Sequence, residues 1–264
     1  MNRFELYELC VTEPVRVCRF LDAAHGHEPR TLREDFSGSG ALSRCWAAIS
    51  EERRAIAVDA DAEPLRHLSR KAKACGVVDR VVMRRSDVIA CGSKADIIAA
   101  TNFPICYWHT RTDLVRYLRA CRRRLNRRGV FVCDLYGGRD AFVLSKTTRR
   151  IRGPVKSLIE YTFEQREANP VSSRVLDTLS FRHVKDGKRG SSGVLHQDAF
   201  VYDWRLWSIP ELADAMREAG FEAVEVYDEL GDAVDGEGRL YLRPVGPEDA
   251  LEDNWVVYLV ARKG

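Results

Sequence analysis

At 264 residues the chain suits one large domain or a core plus an insert, and 45% hydrophobic against 31% charged residues describes a soluble globular protein with an ample core. With 42 basic and 39 acidic residues the net charge is +3, which excludes a bulk polyanion binder. Met1 to Cys10 holds Glu5 and Glu8 and no long apolar run, which argues against a secretory leader and a membrane span. Phe4-Glu5-Leu6-Tyr7-Glu8-Leu9 opens an amphipathic helix, and Val15 to Leu21 continues the pattern past Pro14. Leu32 to Phe36 reads as a short buried strand. Gly38 and Gly40 then bracket a turn where side chains would block a close ligand. Leu42, Cys45, Trp46 and Ile49 follow as one apolar helix face. A strand feeding a helix N-terminus through glycines brings backbone N–H groups up to a bound nucleotide.

Ala55-Ile56-Ala57-Val58-Asp59 is a second strand ending in acid. Asp59 lies roughly 20 residues past the glycine turn, the separation of a carboxylate that holds ribose hydroxyls, or it is a plain turn residue. Asp61 caps the next helix, which carries Leu65, Leu68 and Ala72 inward. Val81-Val82-Met83 is a third strand, followed by Ser86-Asp87-Val88. The stretch from Ala95 to Pro104 is a fourth strand and its exit loop.

Two ligand classes use such a glycine turn. Dinucleotide enzymes favour G-x-G-x-x-G, but Gly38-Ser39-Gly40-Ala41-Leu42-Ser43 lacks the last glycine. The pair Glu34-Asp35 stands before the turn instead, where a carboxylate suits a cationic group such as the amine of a methionine moiety. The stretch resembles motif I of the class I S-adenosylmethionine (SAM) methyltransferases, acid-x-G-x-G-x-G, with Phe36 at the first glycine. The form LREDFSGSGALS is similar to a group of bacterial methyltransferases of unassigned substrate. The resemblance implies an α/β, Rossmann-like seven-stranded sheet in the order 3-2-1-4-5-7-6 with its last strand antiparallel. It implies SAM as cofactor and S-adenosylhomocysteine as product. It places Glu34, Phe36, Gly38, Gly40, Asp59, Ala60 and Asn102 around the cofactor, Asp87 facing the adenine amino group and Val88 on the ring. Tyr7 is either a lid over the cofactor or half-buried in a helix packed on the sheet.

The loop Cys106-Tyr107-Trp108-His109 walls a substrate pocket or packs beneath the next helix, and no second ligand pair makes Cys106 and His109 a metal site. Asn102-Phe103-Pro104-Ile105 departs from the N-P-P-Y/F motif of amino-methylating enzymes at its second residue. The helix from Thr112 carries Leu114, Leu118, Cys121 and Leu125 on one face. Eight arginines fall between Arg111 and Arg128, either a solvated face or an RNA surface. Val130 to Leu135 is a fifth strand, leaving through Tyr136. Leu158 to Gln165, Ser173 to Val184 and Val194 to Tyr202 then read as antiparallel strands, with a hairpin turn at Asp186-Gly187. Tyr202-Asp203-Trp204-Arg205-Leu206-Trp207 resembles the F/Y-x-x-R-x-W segment near the lid of related enzymes.

Ser208 caps a helix with Glu211 at the capping-box position. Phe221 to Val226 and Trp255 to Ala261 pair as the last strands. Between them Asp232, Asp235 and Glu237 fail the EF-hand spacing, so no metal is expected. None of the eight cysteines forms a C-x-x-C pair, and they read as reduced core thiols of a cytoplasmic protein. The expected organisation is a SAM-binding half over 1–138, an antiparallel substrate cover over 139–205, and a C-terminal helix with the final strand pair over 206–264. The reading that follows is a methyltransferase acting on N or O of a small molecule, with Tyr107, His109, Tyr136, Tyr202 and Arg205 as pocket candidates. An RNA methyltransferase is the alternative. An NAD(P)-dependent oxidoreductase and a catalytically silent SAM-binding scaffold are the readings of other classes.

Overall fold

The computed structural model describes residues 1–185, 193–228, 230, 231, 234, 236 and 240–264. The expected turn at Asp186-Gly187 and the acids Asp232, Asp235 and Glu237 lie outside the described residues. The chain divides into two compact units, Glu13–Gly138 with Trp207–Gly264, and Met1–Thr12 with Arg139–Leu206. No helix of the described residues is long and apolar enough to cross a membrane.

Two helices open the chain, α1 (Arg3–Val11) and α2 (Pro14–His25), where the periodicity predicts one. Pro14 is the cause: it disfavours helical backbone at Glu13, which stands at φ −125 and ψ 62, and starts α2 itself. The break sends α1 to the smaller unit and α2 to the larger.

The larger unit alternates strand and helix. Its elements are β1 (Thr31–Asp35), α3 (Ala41–Ile49), β2 (Arg54–Asp59), α4 (Ala62–Ala74), β3 (Val81–Arg85), β4 (Ala95–Ala100), α5 (Arg111–Arg124) and β5 (Leu125–Gly138). Asp61 caps α4 as expected, accepting from the backbone of Glu63 at 3.0 Å.

The smaller unit is a four-stranded antiparallel sheet, β6 (Ser145–Arg152), β7 (Leu158–Asn169), β8 (Arg174–Val184) and β9 (Val194–Arg205), in that spatial order. β6 is an edge strand exposed at nearly every residue, so no alternation reveals it in the sequence. On one face Leu6 of α1 packs with Ile159, Leu179, Phe181 and Ala199. Tyr7 lies 4.9 Å from the Phe200 ring.

Back in the larger unit, α6 (Ile209–Glu218) starts on the capping box of Ser208 and Glu211. β10 (Ala223–Tyr227) and β11 (Asn254–Arg262) complete its sheet in the order β10-β11-β5-β4-β1-β2-β3. The five strands from β3 to β5 are parallel, whereas β11 runs antiparallel to both neighbours. Leaving out the insert strands, this is the expected 3-2-1-4-5-7-6 sheet. Strand order reverses about β1, which pairs with β2 on one side and β4 on the other. In open α/β sheets a ligand crevice opens at such a switch point, outside the carboxyl ends of the strands.

Candidate functional site

The turn after β1 is held by its own backbone and by the neighbouring strand. Ser37 N–H donates to the Val58 carbonyl at 3.0 Å, and Gly40 N–H to the Ser37 carbonyl at 2.8 Å. Phe36, Gly38 and Gly40 all adopt positive φ, +55°, +50° and +64°. The two glycines answer to different constraints. A Cβ on Gly40 would sit 2.5 Å from a Leu68 methyl of α4, so Gly40 lets two helices close up. A Cβ on Gly38 would meet nothing within 4 Å, so its backbone faces open space. Beside it the Ser37 hydroxyl is buried without a hydrogen-bond partner.

Two carboxylates flank this turn. Glu34 Oε2 accepts from Ser43 N–H at 2.9 Å and Ser43 Oγ at 2.5 Å, tying β1 to the first turn of α3. Burial pushes its carboxyl up to about 7 against the pull of both bonds. Asp59 accepts from Gly38 N–H at 2.7 Å and Asp61 N–H at 2.8 Å, so it shapes both the glycine turn and the start of α4. Burial raises its carboxyl above the usual range. Ala60 is exposed next to it.

After β3, Asp87 Oδ1 accepts from Ile89 N–H at 2.8 Å and Ala90 N–H at 3.1 Å, the bonds of a turn former. Val88 is buried. After β4, Asn102 and Phe103 both take left-handed backbone, at φ +68° and +65°. They hold it because Asp134, on β5, takes the Asn102 N–H at 2.7 Å on one oxygen and the Phe103 N–H at 2.7 Å on the other. Burial pushes the Asp134 carboxyl up to about 7. Nothing local in the sequence marks Asp134 for this task; its partners are about 30 residues away.

The aromatic loop divides its residues between core and surface. Trp108 stacks on Tyr117 of α5 at 5.1 Å, and Cys106 is fully buried, so both pack beneath the helix. Tyr107 is exposed, 6.0 Å from the Phe36 ring, and His109 is half-buried. Tyr136 packs edge-on against Phe103 at 5.0 Å. Glu34, Asp59 and Tyr136 thus stand in the carboxyl-terminal parts of β1, β2 and β5, and Phe36, Gly38, Asp87, Asn102 and Tyr107 follow the carboxyl ends of β1, β3 and β4. Tyr7, Tyr202 and Arg205 belong to the smaller unit. There Tyr202 stacks between Phe200 at 6.4 Å and Trp204 at 4.4 Å.

Four of the six arginines of α5 have protein partners. Arg111 and Arg119 reach Glu218 of α6, Arg116 reaches Asp113, and Arg124 turns inward onto carbonyl groups of Val88 and Ile89. All eight cysteines are free thiols; Cys75 is exposed, against the expectation of a core residue. Among the described residues no group of three or more His, Cys, Asp or Glu is placed to hold a metal ion.

No protein-family profile matches the chain, and no curated protein does. Solved structures share its fold over nearly the whole length. A SAM-dependent methyltransferase from Clostridium acetobutylicum superposes with a TM-score of 0.72 at 14% identity, covering 99% of this chain and 97% of its own. The amino pentose methyltransferase CalS10 of Micromonospora echinaspora, solved with SAM bound, gives 0.69 at 13% identity, covering 100% and 98%. The sugar N-methyltransferase KedS8 of Streptoalloteichus gives 0.68 at 14%, covering 100% and 93%. The architecture of this chain is thus the one on which these methyltransferases are built.

Proposed function

We propose that the chain is a SAM-dependent methyltransferase whose acceptor is an amine or hydroxyl of a small molecule. One observation carries the reading: Gly38, open where a side chain would project and hydrogen-bonded to the Asp59 carboxylate, follows the strand that carries Glu34, at the switch point of a sheet of this order. The buried, unpartnered Ser37 hydroxyl beside it fits a polar ligand resting on the turn. The small-molecule class draws on the sugar methyltransferases that share the fold, and on a net charge of only +3.

In this reading SAM supplies a methyl group already activated by its sulfonium. The chain's task is to bind, orient and keep water out. Glu34 answers the amino group of the methionine portion by charge. Asp59 takes the ribose hydroxyls with the lone pairs left after Gly38 and Asp61, since each carboxylate oxygen accepts more than one bond. Asp87 and Val88 take the adenine, and Phe36, Ala60 and Asn102 complete the surround. Tyr107 beside Phe36, Tyr136 beside Phe103, and His109 present ring and polar groups to an acceptor.

The test is calorimetry with S-adenosylhomocysteine and, separately, NAD. Tight binding of the first and none of the second is expected. Asp59→Ala is expected to weaken the first by about tenfold to a hundredfold, the worth of hydrogen bonds to a charged group. Unchanged affinity in that variant would remove the ribose assignment. Preference for NAD would remove the whole reading.

A further inference from the structure

Arg33 is fully buried in β1, an unusual place for a guanidinium. It shares a strand face with Asp35, two residues on, and its Nε donates to Asp35 Oδ1 at 2.7 Å. The Tyr117 hydroxyl donates to the other oxygen at 3.0 Å, so the buried carboxylate is held from both sides. The remaining Arg33 nitrogens do not serve the sheet. They reach the loop after β3, donating to the carbonyls of Val88 at 2.7 Å, Cys91 at 2.9 Å and Ser93 at 3.0 Å. Arg124, at the end of α5, comes to the same loop and donates to the Val88 carbonyl at 3.1 Å and to that of Ile89. Asp87 closes the ring by accepting from Ile89 and Ala90 N–H.

A segment outside helix and sheet thus has four carbonyls gathered by two guanidiniums, each a rigid fork of five donors. A solvated loop of this length needs no such anchoring, because water satisfies its carbonyls. Two cations brought together at one carbonyl repel each other, and the buried Asp35, paired directly with Arg33, offsets part of that repulsion.

We propose that Arg33 and Arg124 form a latch that sets the loop 87–93 for purine recognition. Arg124 is a positioning residue that acts through Val88 and Ile89 rather than by touching the ligand. The inference rests on the methyltransferase reading, in which this loop receives the adenine.

Arg33 is a poor first target, since its loss strands Asp35 in the core. Arg124 sits at a helix end, and Arg124→Gln leaves the Arg33–Asp35 pair intact. The variant is expected to keep its melting temperature within a few degrees and to exchange the amides of Ile89 and Ala90 faster. Its affinity for S-adenosylhomocysteine is expected to drop about tenfold, the worth of two hydrogen bonds. Affinity for S-ribosylhomocysteine, which lacks the adenine, is expected to stay the same, and Arg124→Lys is expected to recover part of the loss. Equal losses for both ligands would mean a merely structural arginine, and no loss for either would mean that no latch exists. If the unaltered protein binds neither ligand, the methyltransferase reading falls and the latch falls with it. If it binds both but the variant makes no distinction, only the latch falls.

Discussion

Gly38→Val is expected to weaken binding of S-adenosylhomocysteine strongly in a protein that still folds, whereas Gly40→Val is expected to prevent folding. Both glycines have positive φ, where an L residue costs about 1–2 kcal/mol, so backbone strain alone does not separate them. Their surroundings do. At Gly38 the added atoms project into space that no protein atom occupies within 4 Å. Folding meets only the strain, but a nucleoside seated there meets the side chain. A loss of about a hundredfold, roughly 2.7 kcal/mol, is expected by calorimetry. At Gly40 the added Cβ lands 2.5 and 2.6 Å from the two Leu68 methyls. Leu68 is fully buried in the same core as Trp46 and Leu32, so it has nowhere to retreat. Gly40→Ala in a Leu68→Ala background is therefore expected to lower the melting temperature by less than the two single changes together, because the second change removes the collision. Normal ligand affinity in folded Gly38→Val would show that the turn is not the contact.

What local chemistry decides could be read from the chain. The glycine turn, the Asp61 cap and the Ser208–Glu211 box depend on residues within a few positions of one another, and all three form where the sequence places them. The sheet order followed from the family resemblance of one turn, not from any pairing signal. What stayed hidden is long-range. Arg33 lies in a stretch that reads as a buried strand, but its partners stay hidden until the loop after β3 is placed beside it. Asp134 reads as a strand-end acid until β5 lies beside β4 and its oxygens meet the Asn102 and Phe103 amides. Asp87 was legible as a post-strand acid, but its turn bonds to Ile89 and Ala90 show that it shapes the loop as well. The α1–α2 break was marked by Pro14, yet apolar spacing continues across it and masks the change of unit.

Raising the pH from 5 to 8 is expected to destabilise the protein, contrary to the usual behaviour of paired surface acids. Glu34 and Asp134 are both pushed up by burial to about 7, from ordinary values of 4.5 and 3.8. Across the interval the native state keeps protons that the unfolded chain has already released, so stability declines until the native groups ionise and is flat above. At 1.36 kcal/mol per pKa unit each group accounts for about 2.7 kcal/mol between pH 5 and its native value of about 7. Asp96, Asp198 and Asp249 are shifted downward and vary only below about pH 4, outside this window, whereas His25 and His183, also lowered, by burial, oppose part of the decline below their ordinary value of 6.5. Glu34→Gln keeps an oxygen for Ser43 and is expected to flatten the decline. Asp134→Asn has a single acceptor oxygen for two backbone donors, and is expected to cost about 1–3 kcal/mol at any pH. Ligand binding adds a second signature. An ammonium group brought to Glu34 returns its carboxyl toward the ordinary range, so binding near neutral pH releases a proton. Affinity for S-adenosylhomocysteine is then expected to rise with pH from 6 to 8, and the calorimetric enthalpy to vary with the ionisation heat of the buffer. Glu34→Gln is expected to bind more weakly and without either dependence. A wild-type affinity that is constant over this range would place the amino group away from Glu34.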